Sequence, residues 1–245
     1  MSRVWVVGIG PGDGPGMTGR ALAAMADANL LCGYDKYVSL VSGLFPDKPT
    51  LSTGMTREVE RCRAALAAAA EGKKVAVICS GDAGVYGMAG LVLELAVDFP
   101  PLEIEVVPGV SAAMSGAALL GAPLMHDFAV ISLSDLLTPW QTIEKRLRGA
   151  AAADFVLCLY NPASKKRHDH LARACDIVME FRGEETICGW TRHIGREGEE
   201  SDVLDLRALR NWRADMFSTV FIGSSATRLL NGKMVTPRGY GEAER

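Results

Sequence analysis

Short runs rich in valine and isoleucine alternate along the chain with longer segments rich in alanine and leucine. The runs at 4–8 and 74–79 have the length and β-branched content of buried strands. The longer segments repeat their apolar residues at the spacing of a helix. Strands that alternate with helices in this way indicate an α/β fold.

The pattern divides the chain into two series of elements. The first has predicted strands over 4–8, 74–79 and 102–107, and predicted helices over 18–28, 58–71, 85–97 and 109–120. The second has predicted strands over 128–133, 155–160, 186–191, 203–206 and 219–223, and helices over 139–151 and 165–181. Gly121, Ala122 and Pro123 interrupt the pattern. We therefore expect two unlike α/β domains, 1–121 and 122–245, with a ligand cleft between them.

The composition excludes several classes of function. With 49% hydrophobic and 22% charged residues, the chain has the composition of a folded globular protein. The 26 Lys and Arg residues against 29 Asp and Glu give a net charge of −3, which argues against a nucleic-acid partner. No apolar run approaches the roughly 20 residues that span a bilayer, so no membrane anchor or signal peptide is expected. A cytoplasmic protein is predicted.

The cysteines and histidines do not predict a metal site. The six cysteines are dispersed without a C-x-x-C pair, and Cys79 and Cys158 lie within apolar runs. Free thiols in a reducing compartment are therefore expected. His168 and His170 would lie about 200° apart on a helix, too far around it to share a metal ion.

The first predicted strand leads directly into a glycine-rich segment, Gly-Ile-Gly-Pro-Gly-Asp at 8–13. Asp13 stands where a dinucleotide-binding turn needs its third glycine, and Pro11 lacks a backbone N–H. Residues 14–19 have the glycine spacing of a P-loop, but Arg20 and Ala21 follow. A dehydrogenase is therefore disfavoured. We expect a bare backbone surface that faces a ligand, with a plain tight turn as the alternative.

Two further loops after predicted strands are rich in small residues. The segment 80–86, Ser-Gly-Asp-Ala-Gly-Val-Tyr, has Asp82 as its only charge, which disfavours an anionic ligand. The segment 107–112, Val-Pro-Gly-Val-Ser-Ala, offers the hydroxyl of Ser111. Either side chain could instead cap the following helix. Because loops after parallel strands meet at one edge of a sheet, the three loops predict a shared ligand site.

In this order, the three loop motifs resemble those of the tetrapyrrole methylase family. They read Gly-x-Gly-Pro-Gly-Asp, Ser-Gly-Asp-x-x-x-Tyr and Pro-Gly-Val-Ser-Ala. Later segments at 131–135, 160–165, 191–196 and 234–240 resemble those of family members that methylate a corrinoid precursor at C17 and contract its ring. The resemblance covers the chain from residue 4 to about residue 240.

The resemblance implies two α/β domains and an S-adenosylmethionine-dependent C-methyltransferase of cobalamin biosynthesis. It implies conversion of precorrin-3B to precorrin-4 by a homodimer, with a tetrapyrrole as the small-molecule partner and neither nucleic acid nor a membrane. One alternative is the cobalt-containing acceptor of the anaerobic pathway. A second alternative is a methyltransferase that acts on another corrinoid carbon, on a protein or on RNA. A third is a non-catalytic protein that binds the cofactor or a tetrapyrrole.

Carried over position by position, the resemblance implies cofactor contacts from both domains. They are Pro11, Gly81, Asp82, Val85, Tyr86, Ser111 and Ala112 in the first domain, and Tyr160, Asn161, Trp190 and Thr219 in the second. Ala83 stands where family members commonly have proline, which loosens the loop but removes no polar contact.

Ring contraction would require a base that removes a proton from a hydroxyl on the carbon that leaves the ring. The candidate catalytic residues are Asp13, His126, Ser134, Asp135 and His193. For the two histidines, the alternative is an ordinary surface or linker position.

The implied substrate carries many carboxylates, whereas the chain has a net charge of −3. Individual basic side chains would therefore have to hold it, and arginine can do so with two parallel hydrogen bonds. Gly10 and Gly12 would lie beneath the acceptor ring. The candidates for binding its acids are Lys165, Arg192, Arg196 and Arg238. Arg57, Arg61 and Arg63 form a second candidate patch, with a solvated helical face as the alternative.

Overall fold

The computed structural model describes residues 2–12, 14–164 and 167–240. It confirms the α/β class, because each half of the chain combines a sheet with helices. The chain forms two compact units, of which the first reaches Ala112 and the second begins at Ala113. Among the residues that the structure describes, no helix is both long and apolar enough to cross a membrane.

The first unit alternates strands and helices in chain order. Its elements are β1 (Arg3–Gly8), α1 (Gly19–Asp27), β2 (Leu30–Tyr34), α2 (Asp35–Ser42), β3 (Thr50–Thr53), α3 (Glu58–Ala70), β4 (Lys74–Cys79), α4 (Ala89–Ala96) and β5 (Glu103–Val107). The hydroxyl of Thr18 caps α1 by accepting a hydrogen bond from the N–H of Ala21 at 3.1 Å.

The strands of the first unit pair in parallel. In the described residues the sheet order is β3-β2-β4-β1-β5, so β1 lies between β4 and β5. Side chains of β1 alternate between two cores: Val6 packs with α3 and α4, whereas Val7 packs with α1 and α2. Because parallel strands end at the same edge, the loops after β4, β1 and β5 are neighbours.

The second unit contains more strand than the first. Its elements are α5 (Ala112–Leu120), β6 (Gly121–Ala122), β7 (Phe128–Ser132), α6 (Trp140–Ala152), β8 (Val156–Tyr160), α7 (His170–Met179), β9 (Ile187–Arg192), β10 (Glu200–Asp205), α8 (Leu206–Asn211), β11 (Ser218–Ile222), β12 (Arg228–Leu230) and β13 (Lys233–Val235).

The main sheet of the second unit is mixed, with the order β10-β9-β11-β8-β7 in the described residues. β7 and β8 are parallel, while β11 runs antiparallel to both β8 and β9. Val220 of β11 packs with α6, α7 and α8 on one face, and Phe221 packs with α5 on the other. β6, β12 and β13 form a separate small sheet.

The division between the two units falls at the first residue of α5, whereas the sequence pattern places it after this helix. Leu120 of α5 is buried in a cluster that includes Phe221 and Met234 of the second unit. This packing assigns α5 to the second unit. The glycine and proline that follow the helix are a break within that unit.

Three predicted helices begin later than the sequence pattern indicates: α7 begins at His170 instead of 165, and α4 and α5 each follow a loop that contains glycine. α4 begins at Ala89 instead of 85, and α5 begins at Ala112 instead of 109. The turn ahead of α4 has no room for a side chain at Gly87, because a Cβ there would lie 2.3 Å from the carbonyl oxygen of Ala83. The residues ahead of α4 and α5 remain in loops, where their backbone is available to a ligand.

The sequence pattern did not identify β2, α2 and β3, nor α8, β12 and β13. β2 continues into α2 without an intervening residue, so no turn residue marks the boundary at Tyr34 and Asp35. β3 has four residues, of which two are exposed, and it lacks the apolar run of a buried strand.

Candidate functional site

The loops after β1 and β4 are joined by a pair of backbone hydrogen bonds. The N–H of Gly10 donates to the carbonyl of Gly81 at 3.0 Å, and the N–H of Gly81 donates to the carbonyl of Gly10 at 2.8 Å. The two glycines have φ angles of 66° and 67°, in the region that residues with side chains rarely adopt. The expectation that the glycine-rich loops meet at one sheet edge is confirmed.

Asp82 joins the loop after β4 to the loop after β5. Its Oδ1 accepts hydrogen bonds from the N–H groups of Gly84 at 2.8 Å and Val85 at 3.2 Å. Its Oδ2 accepts from the N–H of Gly109 at 3.0 Å. The carboxylate therefore shapes the backbone of both loops. Its direct contact with a ligand stays a prediction.

The three loops approach each other too closely to accommodate side chains at their crossing. A Cβ on Gly109 would lie 2.2 Å from the carbonyl oxygen of Gly81 and 2.5 Å from that of Gly8. A Cβ on Gly8 would lie 2.6 Å from the carbonyl oxygen of Gly81. The glycines at the ends of these strands are therefore required by the packing.

The ligand-facing candidates of the first unit lie around this crossing. A Cβ on Gly81 would be 3.7 Å from Cα of Ser111 and from the nitrogen of Ala112, which places the second loop against the third. Val85 is 38% exposed and Tyr86 is 56% exposed. The structure thus brings together the predicted cofactor residues Gly81, Asp82, Val85, Tyr86, Ser111 and Ala112. Gly10, Pro11 and Gly12 lie in the adjoining first loop, whereas Asp13 is outside the described residues.

A second group of predicted residues lies at one end of the main sheet of the second unit. β7, β8 and β9 end there and β11 begins there, because Ser132 pairs with Tyr160 and Thr219 pairs with Thr191. Asn161 follows β8 with φ of 53°, and its amide donates to Oγ of Ser132 at 3.0 Å. The predicted residues at this end are Ser134, Asp135, Tyr160, Asn161, Trp190, Arg192, His193 and Thr219.

The side chains of this group divide between the two faces of the sheet. The hydroxyl of Tyr160 accepts a hydrogen bond at 2.8 Å from a backbone N–H of α5. Thr219 faces α5 as well, because it alternates with Val220, which packs on the opposite face. Trp190 also packs on that opposite face, where it stacks on Trp212 at a ring distance of 4.4 Å. Among the predicted cofactor contacts, the side chains of Tyr160 and Thr219 therefore share a face and that of Trp190 does not.

Arg192 is held by groups of the second unit. Its Nε lies 3.3 Å from Oδ2 of Asp215, and its Nη1 lies 3.5 Å from Oε2 of Glu200. The guanidinium also lies 5.5 Å from the ring centre of Trp190 and 5.2 Å from that of Trp212. These contacts give Arg192 a structural role, and its binding of a substrate acid stays a prediction.

Asp135 lies beside a buried histidine. Its Oδ2 is 3.1 Å from Nε2 of His170, whose Nδ1 is 3.1 Å from Oδ1 of Asp169. His170 is 5% exposed and makes an edge contact with Trp140 at a ring distance of 4.8 Å. Burial is the largest influence on the pKa of Asp135 and raises it, but His170 and Arg167 outweigh burial and the net shift is downward. Asp135 is therefore held as a carboxylate.

Other predicted site residues do not lie at the sheet end that holds Asp135. His126 precedes β7, at the opposite end of the sheet from Asp135, and its Nδ1 accepts from the N–H of Asp127 at 3.0 Å. Arg238 contacts the same segment, because its Nη1 donates to the carbonyl of Met125 at 3.3 Å. Lys165 is outside the described residues.

His193 and Arg196 follow β9, near the end of the sheet where Asp135 lies. The ring of His193 stacks on Phe217 with 4.8 Å between ring centres. The N–H of Arg196 donates to the carbonyl of His193 at 2.9 Å, which closes a tight turn. His193 is therefore a packed residue of this turn, and its role as a base stays a prediction.

A cavity of about 560 Å³ lies in the second unit, near the start of β8 and the end of β11. Its lining includes Asp154, Arg182 and Ser225 and none of the predicted site residues. Arg182 donates to the carbonyl of Phe155 at 2.6 Å, and Ser225 donates to Asp154 at 2.6 Å. These polar groups thus have hydrogen-bond partners within the second unit, at the opposite end of the sheet from Asp135.

The arginines at the start of α3 do not form one basic patch. Arg57 pairs with Glu60, and Nη2 of Arg63 lies 2.8 Å from Oδ2 of Asp98. Arg57 and Arg63 are exposed, whereas Arg61 is only 3% exposed. The solvated-face alternative therefore fits two of the three, and Arg61 is a buried residue.

The arrangement of loops and the order of motifs match one known family throughout. The family model described as Tetrapyrrole (Corrin/Porphyrin) Methylases matches residues 3–209. The chain belongs to this family. The predicted resemblance is therefore confirmed, and the match extends over both units.

The chain is similar along its whole length to individual tetrapyrrole methylases. It is 49% identical to the probable cobalt-factor III C(17)-methyltransferase of Salmonella typhimurium, over 96% of this chain and 98% of that protein. It is 40% identical to the precorrin-3B C(17)-methyltransferase of a Sinorhizobium species, over 98% of both chains. The crystal structure of the methyltransferase CobJ superposes with a TM-score of 0.90 at 36% identity, over 97% of this chain and all of that one.

Proposed function

We propose that this protein transfers a methyl group from S-adenosylmethionine to C17 of precorrin-3B and contracts the macrocycle to precorrin-4. The observation that carries the proposal is the end-to-end similarity, at 49% and 40% identity, to two proteins named as C17-methyltransferases. The place where the three glycine-rich loops of the first unit cross, called the glycine crossing below, lies at a sheet edge of the kind where α/β enzymes bind ligands. The second group of predicted residues also lies at such an edge.

The loops of the first unit suit a ligand that needs close approach to the backbone. Glycines at their crossing expose peptide groups, and Gly81 lies against the small residues Ser111 and Ala112. We assign the cofactor to this surface, with Val85 and Tyr86 beside it. S-adenosylmethionine supplies an electrophilic methyl group when it is bound. The protein contributes position and exclusion of water, because attack by a ring carbon requires alignment within about 3–3.5 Å.

Ring contraction adds a proton transfer, and we assign this step to Asp135. Its carboxylate would accept the proton of the hydroxyl on the carbon that leaves the ring. Among the described candidates, Asp135 combines ionisation with 37% exposure of its side chain at the sheet end where the predicted residues gather. His126 lies at the other end, and the ring of His193 is stacked on Phe217.

A cobalt-containing acceptor is the second candidate substrate. The identity to the cobalt-factor III enzyme of Salmonella, 49%, exceeds the 40% identity to the precorrin-3B enzyme of Sinorhizobium. The same methyl transfer and contraction would occur on both acceptors. In the described residues no cluster of three His, Cys, Asp or Glu side chains is arranged to hold a metal ion. In this second reading the cobalt enters as part of the substrate.

Incubation with S-adenosylmethionine labelled in the methyl group and either acceptor tests the proposal. We expect one labelled methyl in the product mass and the absorption change of a contracted macrocycle. Methylation without that spectral change would exclude the C17 assignment, and absence of transfer to both acceptors would favour a cofactor-binding or tetrapyrrole-binding protein. Asp135→Asn is expected to lower turnover roughly 10²- to 10⁴-fold, the usual loss for a missing general base. The matched control is Asp127→Asn, at an exposed carboxylate on the opposite end of the sheet.

The homodimer and the cytoplasmic location stay predictions from family resemblance and composition. Light scattering of the purified chain tests the first of these. A mass of 26.2 kDa for the monomer makes a dimer easy to distinguish.

A further inference from the structure

Arg61 of α3 is a buried cation whose hydrogen-bond partners are all uncharged. Only 3% of the residue is exposed. Its Nε donates to Oγ1 of Thr53 at 2.9 Å and its Nη2 donates to the carbonyl of Gly54 at 3.0 Å. Its Nη1 contacts Sδ of Met88 at 3.6 Å, and a thioether is a weak acceptor. A guanidinium has five N–H donors, so these contacts leave one donor on each terminal nitrogen.

None of the ion pairs formed by the described residues involves Arg61. The other arginines with mostly buried side chains differ: Nε of Arg182 lies 3.7 Å from Oδ1 of Asp154, and Nη1 of Arg167 lies 3.9 Å from Oδ1 of Asp135. Removing a charge from water without a counter-charge is costly. Hydrogen bonds to Thr53 and Gly54 could be made by a neutral side chain, so they do not explain why a cation is present.

The surroundings of Arg61 place it at the carboxyl edge of the first sheet. Thr53 ends β3, and Tyr34, whose ring centre is 6.0 Å from the guanidinium, ends β2. Met88 follows the loop after β4, two residues beyond Tyr86. In the sheet order, β3 and β2 adjoin β4, whose loop is part of the glycine crossing. The buried cation therefore lies along the same edge as the predicted cofactor loops.

We propose that Arg61 binds a carboxylate of a ligand at this edge, through the two free donors on its terminal nitrogens. This inference rests on the proposed function, which supplies two sources of that group: an acid side chain of the tetrapyrrole and the carboxylate of the cofactor's methionine. The side chain of Met88 lies next to Nη1 and belongs to a buried core cluster, so this flexible side chain would have to shift to admit the carboxylate. The neighbouring residues 55–57 are exposed, so the loop after β3 lies between the guanidinium and solvent and would have to shift to admit a ligand.

Binding measurements on the full chain test the inference without relying on turnover. The probes are S-adenosylhomocysteine, measured by calorimetry, and the octacarboxylic tetrapyrrole uroporphyrin III, measured by quenching of tryptophan fluorescence. Arg61→Gln removes the charge but keeps a donor for Gly54. We expect the affinity for one probe to fall roughly 10- to 100-fold, as for loss of a charge-assisted hydrogen bond. A loss for uroporphyrin identifies the macrocycle acid, and a loss for S-adenosylhomocysteine identifies the methionine carboxylate.

Arg57→Gln and Arg63→Gln are the matched controls, because each removes a neighbouring arginine that already has a carboxylate partner. Both should retain wild-type affinities. If Arg61→Gln does not fold, Arg61→Lys keeps the charge but loses the paired donors, and a smaller loss of affinity is expected. Unchanged affinity for both probes in the folded variant would overturn the inference and leave Arg61 as a structural link between α3 and β3. Because these are binding measurements, absence of C17 methylation by the wild type would count against the proposed function separately.

Discussion

Nε2 of the buried His170 lies 3.1 Å from Oδ2 of Asp135, which reaches the sheet end where the predicted second-unit residues gather. The other ring nitrogen faces Asp169 at the same distance. An imidazole nitrogen this close to a carboxyl oxygen lowers the pKa of that carboxyl, as it does for Asp135. The histidine therefore acts on Asp135 as a positioning residue that favours the carboxylate.

His170→Gln should move the acidic limb of the pH–rate profile to higher pH. The pKa of Asp135 is lowered by His170 and Arg167 against the opposing effect of burial. Removal of the histidine leaves burial less opposed, so the carboxylate should be lost by protonation at a higher pH than in the wild type. The measurement is kcat for methyl transfer from about pH 2.5 to pH 8, so that the wild-type limb falls within the range.

His168→Gln provides the control for this profile, because His168 is an exposed neighbour. Its acidic limb should coincide with that of the wild type. The free energy of unfolding should depend on pH in the same direction as the rate. A carboxyl with a lowered pKa stabilises the fold above its unfolded pKa, and this contribution is lost as pH falls through the folded pKa. Coincident profiles for His170→Gln and the wild type would remove His170 from the mechanism.

The elements that the sequence predicted best are those with long apolar runs. β4 was predicted at its observed bounds, and α3 to within one residue. The assignment of α5 to the second unit could not be predicted, because it depends on packing against Phe221 and Met234, more than 100 residues away. Periodicity reports that a helix has an apolar face, but not which sheet covers that face.

Contacts between distant segments also limit what the sequence can predict about the candidate site. The three glycine-rich loops were identified because glycine, Asp82 and Ser111 directly follow predicted strands. The environments of Arg61, Arg192 and His170 could not be found in this way. Their partners come from other segments of the chain, such as Asp215 for Arg192 and Asp135 for His170. A basic or imidazole side chain in a sequence therefore does not reveal whether it faces solvent, an acid or a ligand.

Gly109→Ala should destabilise the first unit, because the added Cβ would lie 2.2 Å from a backbone oxygen of Gly81. Backbone cannot move as a flexible side chain can, so the loss should reach at least the roughly 1–3 kcal/mol typical of overpacking. Gly90→Ala in α4 is the control, since no atom lies within 4 Å of its added Cβ. It should stabilise the helix by up to about 1 kcal/mol. Urea unfolding followed by circular dichroism measures both, and equal midpoints would contradict the crossing geometry.

The six cysteines should be inert in the native protein. All are buried and free. Burial raises the pKa of Cys32, Cys79 and Cys175 to about 12 and that of Cys62 to about 11, and it also raises the pKa of Cys158 and Cys188. At pH 8 a thiol with a pKa near 11 is ionised in roughly one molecule in a thousand.

Ellman's reagent at pH 8 checks the prediction. The native chain should release almost no chromophore, and the chain in guanidinium chloride should release six equivalents, one for each cysteine. Rapid reaction of one native thiol would show that its segment opens or that its burial is incomplete.

Asp82→Ala should weaken both the fold of the first unit and its affinity for the cofactor. It removes the acceptor for the N–H groups of Gly84, Val85 and Gly109. Hydrogen bonds to a charged group contribute about 1.5–3 kcal/mol each when a partner is removed. Asp82→Asn keeps the oxygen near Gly84 but turns its NH₂ group toward the N–H of Gly109, so the link to the third loop should be lost in this variant too.

Calorimetry with S-adenosylhomocysteine should show weaker binding by both variants, whereas Asp27→Asn, at an exposed ion pair with Lys74, should bind as the wild type does. Wild-type affinity in a folded Asp82→Asn chain would show that the joined loops do not form the cofactor surface.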